Sequence, residues 1–490
     1  MRKKSAVVVL AIALAAAGLY RFGGLSLARD GSGMWVRFFS SSANYDALEE
    51  DRARQRQLAP ESSDTNASSN APTLPAEPDA GNVPAERSEL PRAAAVAAPV
   101  VSHDRSSDWT DFRGPNRDGR YEGPGIRADW PREGLAPVWK QPIGLGYASF
   151  VAADGRAFTI EQRRDQEVVS AYDIVTGREL WIHGWDAEFI EWQGGDGPRA
   201  TPTYHEGRVY ALGALGELRC LDARTGTLVW RRNILEDNGA TNLEWGMSGS
   251  PLVVDDKVIV LPGGRRGRSV VAYNKDSGDA VWGTLDDQQA YTSPMLATLG
   301  GVRQIIIVSA TRAVGLTVEE GRLLWEYPWV TQVGINVSQP IVLGGDRVFL
   351  SAGYGHGAAV FEVTRAGDGF STQTVWQNTR MKNKFTSSVL HEGYIYGLDE
   401  AILACVEAAT GELKWKAGRY GYGQIVLAGG HVIVLTEDGD IAVVRATPER
   451  HEEVVRFPAI EGKTWNHPII AGGRLIVRNL REMAAFDLRP

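Results

Sequence analysis

Eight positions share one place in a repeating pattern and carry side chains suited to gripping a ligand. At or next to the third residue before the Pro-equivalent position of each strand opening stand Tyr147, Arg199, Ser248, Tyr291, Val337, Thr386, Tyr422 and Trp465. Trp245, Asn336, Lys384 and Asn466 are near neighbours. Five of the eight are Tyr, Trp or Arg, types enriched where proteins bind partners. Aromatic faces beside guanidinium and ammonium groups hold a peptide, a sugar or a planar anion by stacking and cation–π contact. They do not by themselves move protons. Two readings stand at this point. Either Tyr147, Arg199, Trp245, Tyr291, Lys384, Tyr422 and Trp465 form a ligand site, or such residues plug a channel and cap its strands.

Searches for reactive groups return little. The chain has no H-E-x-x-H, no G-x-S-x-G, no P-loop and no dinucleotide-type glycine fingerprint after a strand. Its eight histidines, among them His183, His205, His356, His391, His431 and His467, stand singly. His205, His391 and His431 occupy matching first-turn positions, which points to turn chemistry; His356, in Gly353-Tyr354-Gly355-His356-Gly357, is the unusual one. Cys220 and Cys405 form no C-x-x-C and read as small buried apolar residues. Calcium needs several converging oxygens, and Glu437-Asp438-Gly439-Asp440 reads instead as a solvated hairpin turn. Gly263-Gly264-Arg265-Arg266-Gly267-Arg268 has the composition to hold an anion but also that of an exposed turn. No catalytic residue and no metal ligand is assigned. With 52 basic and 60 acidic residues, and no long basic run, a nucleic-acid partner is not expected.

What must position the eight residues is a repeat. Glu217–Trp230 (E-L-R-C-L-D-A-R-T-G-T-L-V-W) holds two alternating runs around a Thr-Gly turn, the pattern of a β-hairpin. Close copies lie at Ala171–Trp181, Ala272–Trp282, Gly315–Trp325 and Cys405–Trp415. Strand-ending aromatics fall at Trp139, Trp181, Trp230, Trp282, Trp325, Trp376, Trp415 and Phe457, spaced 39 to 52 residues apart. That is the period of a four-stranded propeller blade. A second marker agrees. Small or polar residues, often followed by Pro, open a strand at Ser149, Thr201, Ser250, Ser293, Gln339, Ser387, Gln424 and His467.

Both counts give eight blades in an all-β propeller. The last blade lacks an outer strand, because no such strand follows Met483–Leu488, and Ala136–Pro142 is spare. Pairing the N-terminal strand (136–142) with the C-terminal blade closes the ring and hides its edges. In that ring the eight opening residues converge on one mouth of the central channel.

The N-terminal part divides differently. Residues 1–24 carry Arg2, Lys3 and Lys4 and then an uncharged apolar run to Tyr20, which fits a cleaved signal peptide or a retained signal anchor. Either places the rest outside the cytoplasm, in the periplasm or tethered to the inner membrane through residues 5–20. Residues 25–107 read mostly as a disordered tether rich in Pro, Ala and Ser, with a short solvated helix over Tyr45–Gln57. Asn66-Ala67-Ser68 matches a glycosylation sequon by pattern only. The propeller occupies 108–490.

The repeated A-x-D-x-x-T-G-x-x-x-W resembles the pyrroloquinoline quinone (PQQ)-type propeller repeat, in the WD40-like and quinoprotein-like superfamily. Trp109–Gly119 also resembles the W-x-x-F-R-G-P-x-R-D-G lead-in of bacterial PQQ-like proteins, among which BamB-like propellers share the architecture. The resemblance implies that Trp139, Trp181, Trp230, Trp282, Trp325, Trp376 and Trp415 dock between neighbouring blades. Quinoprotein dehydrogenases of this fold carry a vicinal cysteine pair and a calcium held by Glu, Asn and Asp. This chain has neither motif, so no cofactor and no bound PQQ is expected. It also lacks the lipid-anchoring cysteine of BamB-like proteins. The expected function is a non-enzymatic envelope scaffold that binds proteins or peptides and is related to outer-membrane protein assembly. The alternative is a PQQ- or sugar-binding enzyme or sensor using the channel mouth. Oligomeric state is not legible.

Overall fold

The computed structural model describes residues 25–30, 33–38, 45–58, 108–127, 129–331 and 334–490. The expected signal or anchor segment 1–24, residues 59–107 of the expected tether and the Asn66 sequon lie outside the described residues. Leu25–Asp30 and Gly33–Phe38 pair as an antiparallel hairpin. Helix α1 follows at Tyr45–Leu58. It is not fully solvated: Leu48 and Arg52 are buried against the propeller. The polar composition predicted the helix and hid the docking, because the group it buries is a guanidinium rather than an apolar stripe.

Eight blades of antiparallel strands follow. Blade 1 is Val151–Ala153, Arg156–Arg163, Gln166–Asp173 and Glu179–Asp186, and blade 2 runs from Thr203–His205 to Leu228–Asn233. Blades 3 to 7 begin at Leu252, Met295, Ile341, Val389 and Gln424. Blade 8 has Ile469–Ala471, Arg474–Arg478 and Glu482–Asp487, and its fourth strand is Trp139–Pro142, paired as Ala485↔Trp139 and Glu482↔Pro142. The ring closes with the strand the sequence left spare. First strands of neighbouring blades lie side by side around the axis. The core sits between blades rather than within them. Leu212, Leu218 and Trp230 of blade 2 pack on Val258 and Val271 of blade 3, and the other joints are built alike. The largest cluster spans blades 7, 8 and 1 and includes Phe486, Ile476 and Trp109.

The repeat motif has a physical explanation in the turn and in what covers it. Asp222 Oδ1 accepts from the Arg224 and Thr225 backbone N–H groups and the Thr225 hydroxyl, and the Gly226 N–H closes the turn on Asp222 O. Gly226 sits at φ 72°, and a Cβ there would stand 2.5 Å from the Trp181 ring of blade 1. The Trp181 indole N–H donates to Ala223 O of the same turn at 3.1 Å. Trp139 reaches Ile174 O, Trp230 Lys275 O, Trp282 Val318 O, Trp376 Ala408 O and Trp415 Thr447 O in the same way, each in the following blade. A β-bulge sits beside each of these tryptophans from blade 1 to blade 6, as between Cys220 and Leu221.

Two positions depart from the pattern. Trp325 donates to Gln304 of its own blade, because blade 5 replaces the Thr-Gly turn with the long hairpin Gly357–Ala366/Gly369–Asn378. In blade 7 the register places Val455 where the other blades have Trp; Phe457, counted as the eighth aromatic, lies two residues further on, on the same face.

Gly226→Ala is expected to cost about 2–4 kcal/mol, the sum of a left-handed alanine and an overpacked indole. Gly207→Ala, at φ 79° with open space around it, is expected to cost only about 1 kcal/mol. Urea denaturation of the two variants separates conformation from packing; equal losses would mean that the indole does not set the glycine requirement.

Candidate functional site

The opening residues of the first strands bind one another around the axis. The Ser149 N–H donates to Thr201 Oγ1, Ser250 N–H to Ser293 Oγ, Ser293 N–H to Gln339 Oε1 and Gln339 N–H to Ser387 Oγ. These small polar openers satisfy backbone groups that no ladder reaches, which explains their side-chain type.

The lead-in Trp109–Gly119 lies inside this ring. Arg117 is buried and donates to Ser250 O at 3.2 Å, to Pro294 O at 2.9 Å and to Pro251 O, carbonyls of blades 3 and 4. It also reaches Thr203 Oγ1 of blade 2 and pairs with Asp111 at 2.9 Å. Arg113 donates to Ser388 O of blade 6 at 2.7 Å, and burial pushes its pKa down to about 10. Phe112 packs edge-on against His467 of blade 8, and burial, with Arg113 nearby, holds that imidazole well below its usual pKa. Contacts to blades on both sides of the ring place this segment across the axis. It continues as Arg120–Tyr121, a parallel strand on the first strand of blade 7. The lead-in is the plug, and the residues just before the openers are left to form the mouth.

Five of the seven candidates come together there. Arg199 lies over the Tyr147 ring at 5.6 Å and over Phe189 at 4.6 Å. Tyr147 stacks obliquely on Trp465 at 5.4 Å, with the Lys463 ammonium 3.7 Å from the Trp465 ring centroid. Trp465 meets Phe385 at 4.9 Å, Phe385 meets Tyr422 at 5.5 Å, and Lys384 lies 4.6 Å over Tyr422 and 5.1 Å over Tyr354. The result is a continuous arc of half-buried aromatic faces and three cations, drawn from the loops entering blades 1, 2, 6, 7 and 8. Trp245 and Tyr291 form a separate pair at 5.5 Å, and burial raises the Tyr291 phenol to about 12. Asn336 and Asn466 are buried and brace backbone carbonyls: Asn336 donates to Ser309 O, and Asn466 to Gly146 O and Ala148 O. The Ser248 hydroxyl donates to Tyr291 O in the loop entering the next blade, and the Thr386 hydroxyl to its neighbour Ser387 O.

Several mouth residues escaped the sequence reading. Glu437, taken for part of a solvated turn, accepts the Trp465 indole N–H at 2.9 Å and the Tyr422 backbone N–H at 3.1 Å, so it orients two aromatics of the arc. Lys463 and Phe385 stand within two residues of predicted positions, and that adjacency was the available signal. Phe189 and Tyr354 come from loops with no repeat position. The loop carrying Phe189 also exposes Ile190 and Trp192, and its Gly194 carbonyl accepts from the Tyr147 hydroxyl and the Lys463 ammonium. His356 packs edge-on to Trp329 at 4.5 Å, outside the arc.

The two cysteines do not form the vicinal pair of the quinoprotein dehydrogenases. Cys220 and Cys405 are buried in the third strands of blades 2 and 6, and burial raises both thiols, to about 11 and about 12. Among the described residues no three His, Cys, Asp or Glu side chains converge as metal ligands. The axis is filled by Arg113 and Arg117.

Comparison with known proteins agrees with the fold. The chain is 22% identical over 326 residues to the outer membrane protein assembly factor BamB of Burkholderia pseudomallei, covering 62% of this chain and 75% of that one. It is 35% identical over 101 residues to a 1-butanol dehydrogenase (cytochrome c) of Thauera butanivorans, which is 20% of this chain and 14% of that enzyme. Among solved structures, BamB of Moraxella catarrhalis superposes with a TM-score of 0.52 at 17% identity, covering 72% of this chain and 97% of that one. The quinohemoprotein alcohol dehydrogenase ADHIIG of Pseudomonas putida HK5 gives 0.57 at 14% identity, covering 78% and 80%. A family profile spans residues 164–417, just over half of the sequence, and by it the chain belongs to the family of the outer membrane protein assembly factor BamB.

Proposed function

We propose that this protein is a non-enzymatic binding scaffold of the cell envelope, working with outer-membrane protein assembly and holding an extended segment of a partner protein at the channel mouth. The observation that carries this reading is the aromatic–cation arc from Arg199 to Lys384, with Ile190 and Trp192 exposed beside it. Its cations lie on ring faces and its acids are engaged, Glu437 with two N–H donors and Glu191 with Arg199 at 3.8 Å and the Gln193 and Gly194 N–H groups, an arrangement suited to gripping a segment. Family membership supports the kind of partner. The apolar run at residues 5–20 supports export, with the propeller in the periplasm, free or anchored. Among the described residues no helix is long and apolar enough to cross a membrane.

The test is crosslinking and recovery of partners from native membranes by the full-length protein and by a Tyr422→Ala/Trp465→Ala variant. We expect recovery of outer-membrane assembly proteins by the parent and about a tenfold loss in the variant, the effect of removing two binding anchors of about 1 kcal/mol or more between them. Tm should stay within a few degrees, since both rings are half-exposed. Undiminished recovery by the variant overturns the mouth as the site. The quinone reading draws on the local similarity to the butanol dehydrogenase. Saturable binding of PQQ with calcium, or of cell-wall sugars, lost in the same variant, would favour that reading instead.

A further inference from the structure

Helix α1 lies across the joint between the closing strand Trp139–Pro142 of blade 8 and blade 1. Its Tyr45, Leu48, Arg52 and Gln55 fall on one face at helical spacing, and that face is turned to the propeller. On the closing strand of blade 8, Arg52 Nη2 donates to Pro142 O at 3.1 Å and Gln55 Nε2 to Gln141 Oε1 at 2.6 Å. On blade 1, Arg52 Nε donates to Glu179 Oε2 at 3.2 Å and Arg52 Nη2 to the Tyr172 hydroxyl at 3.4 Å. The Glu179 backbone N–H donates back to Gln55 Oε1 at 3.2 Å. At the near end the Tyr45 hydroxyl donates to Gln162 O, and Arg164 of blade 1 pairs with Glu49 and Asp46.

Arg52 is 4% exposed, and its remaining neighbour is Asp51 at 2.8 Å. Glu179 is shared with Arg163, which also pairs with Glu161. A guanidinium this buried needs all its acceptors, and it takes them from both sides of one joint. Moving the closing strand away from blade 1 would strip Arg52 of either its carbonyl or its carboxylate.

We infer that α1 is a clasp over the joint between the closing strand and blade 1, and that the groove beneath it is a docking surface for a polar helix with arginine at its centre. Its occupant is α1 of the same copy. Residues 59–107 connect the two and span up to about 160 Å when extended, so α1 of a second copy is the competing occupant.

Amide hydrogen exchange on the full-length chain tests this. In Arg52→Met the amides of Val138–Gln141 and Glu179–Trp181 should exchange about tenfold faster, with blades 3 to 6 unchanged. Arg164→Ala, at the exposed edge of the groove, should give a smaller acceleration of the same amides and keeps the test open if Arg52→Met does not fold. Arg54→Ala, which faces solvent, should change nothing. Unaltered exchange in Arg52→Met, or acceleration spread evenly over all blades, overturns the clasp. Loss of the same protection on dilution, together with a dimer by light scattering, replaces the within-copy clasp by exchange between copies.

Discussion

Arg117→Met is expected to lower the stability of the propeller by about 3–5 kcal/mol, the cost of breaking a buried ion pair from one side. The methionine fills most of the volume, so the loss is electrostatic and hydrogen-bonding rather than a cavity. It leaves the carbonyls of Ser250, Pro251 and Pro294 without their donor and Asp111 without its guanidinium. Those carbonyls belong to two blades, and Thr203 adds a third, so the penalty falls where the first strands must stay in register. Arg120→Met, three residues away and half-buried with the exposed Glu122 as its ion-pair partner, should stay within about 0.5 kcal/mol. Urea denaturation of both variants is the measurement. A loss under about 1 kcal/mol for Arg117→Met would mean that the lead-in merely rests on the axis.

Removal of the last seven residues, Ala484–Pro490, should abolish the cooperative transition altogether. Ala484, Ala485, Phe486 and Leu488 are fully buried in the cluster that joins blades 7, 8 and 1. The truncation also takes away the partners of Trp139 and Lys140 and the carbonyl that accepts from Val138. The single change Phe486→Ala costs about 3–5 kcal/mol, against a total of about 5–15 kcal/mol for a typical domain. Phe486→Ala is thus the graded version, expected to keep a cooperative transition at a lower midpoint. Parent-like melting of the truncated chain, followed by near-ultraviolet circular dichroism, would show that the ring does not depend on its split blade.

How much of this was legible follows from the range of each interaction. The Asp-x-x-Thr-Gly turn is local chemistry, and the tryptophan pairs across the adjacent strand, so the blades could be read from a dozen residues at a time. Closure was legible because one strand was missing at the C-terminus and one was spare before blade 1. Phe457 misled by two residues because its aromatic character stood in for a register that only pairing reveals. The mouth was half legible. Repeat position predicted Tyr147, Arg199, Tyr422 and Trp465, whereas Glu437 and Tyr354 arrive from turns whose sequence describes only themselves. Arg52 and Arg117 were out of reach, because the blade acceptors they bind lie from 86 to 177 residues away in the chain, whereas Asp51 and Asp111 are near in sequence.

The indole latches all point one way around the ring, and two joints have none. Blades 8, 1, 2, 3 and 4 are linked in one unbroken series and blades 5, 6 and 7 in another. The indoles thus mark a long arc of five blades and a short arc of three, and the two joints between them are held otherwise: Tyr327 stacks on Phe361 at 4.1 Å and the Thr372 hydroxyl donates to Glu326 O across 4/5, and the largest apolar cluster spans 7/8. Trp465 stands in the loop that crosses the second boundary, with Phe385 and Tyr422 on the short arc and Tyr147 on the long one. On the proposed function, a partner segment gripped by these rings would therefore add a contact across the 7/8 joint, one of the two that the indole series leaves out.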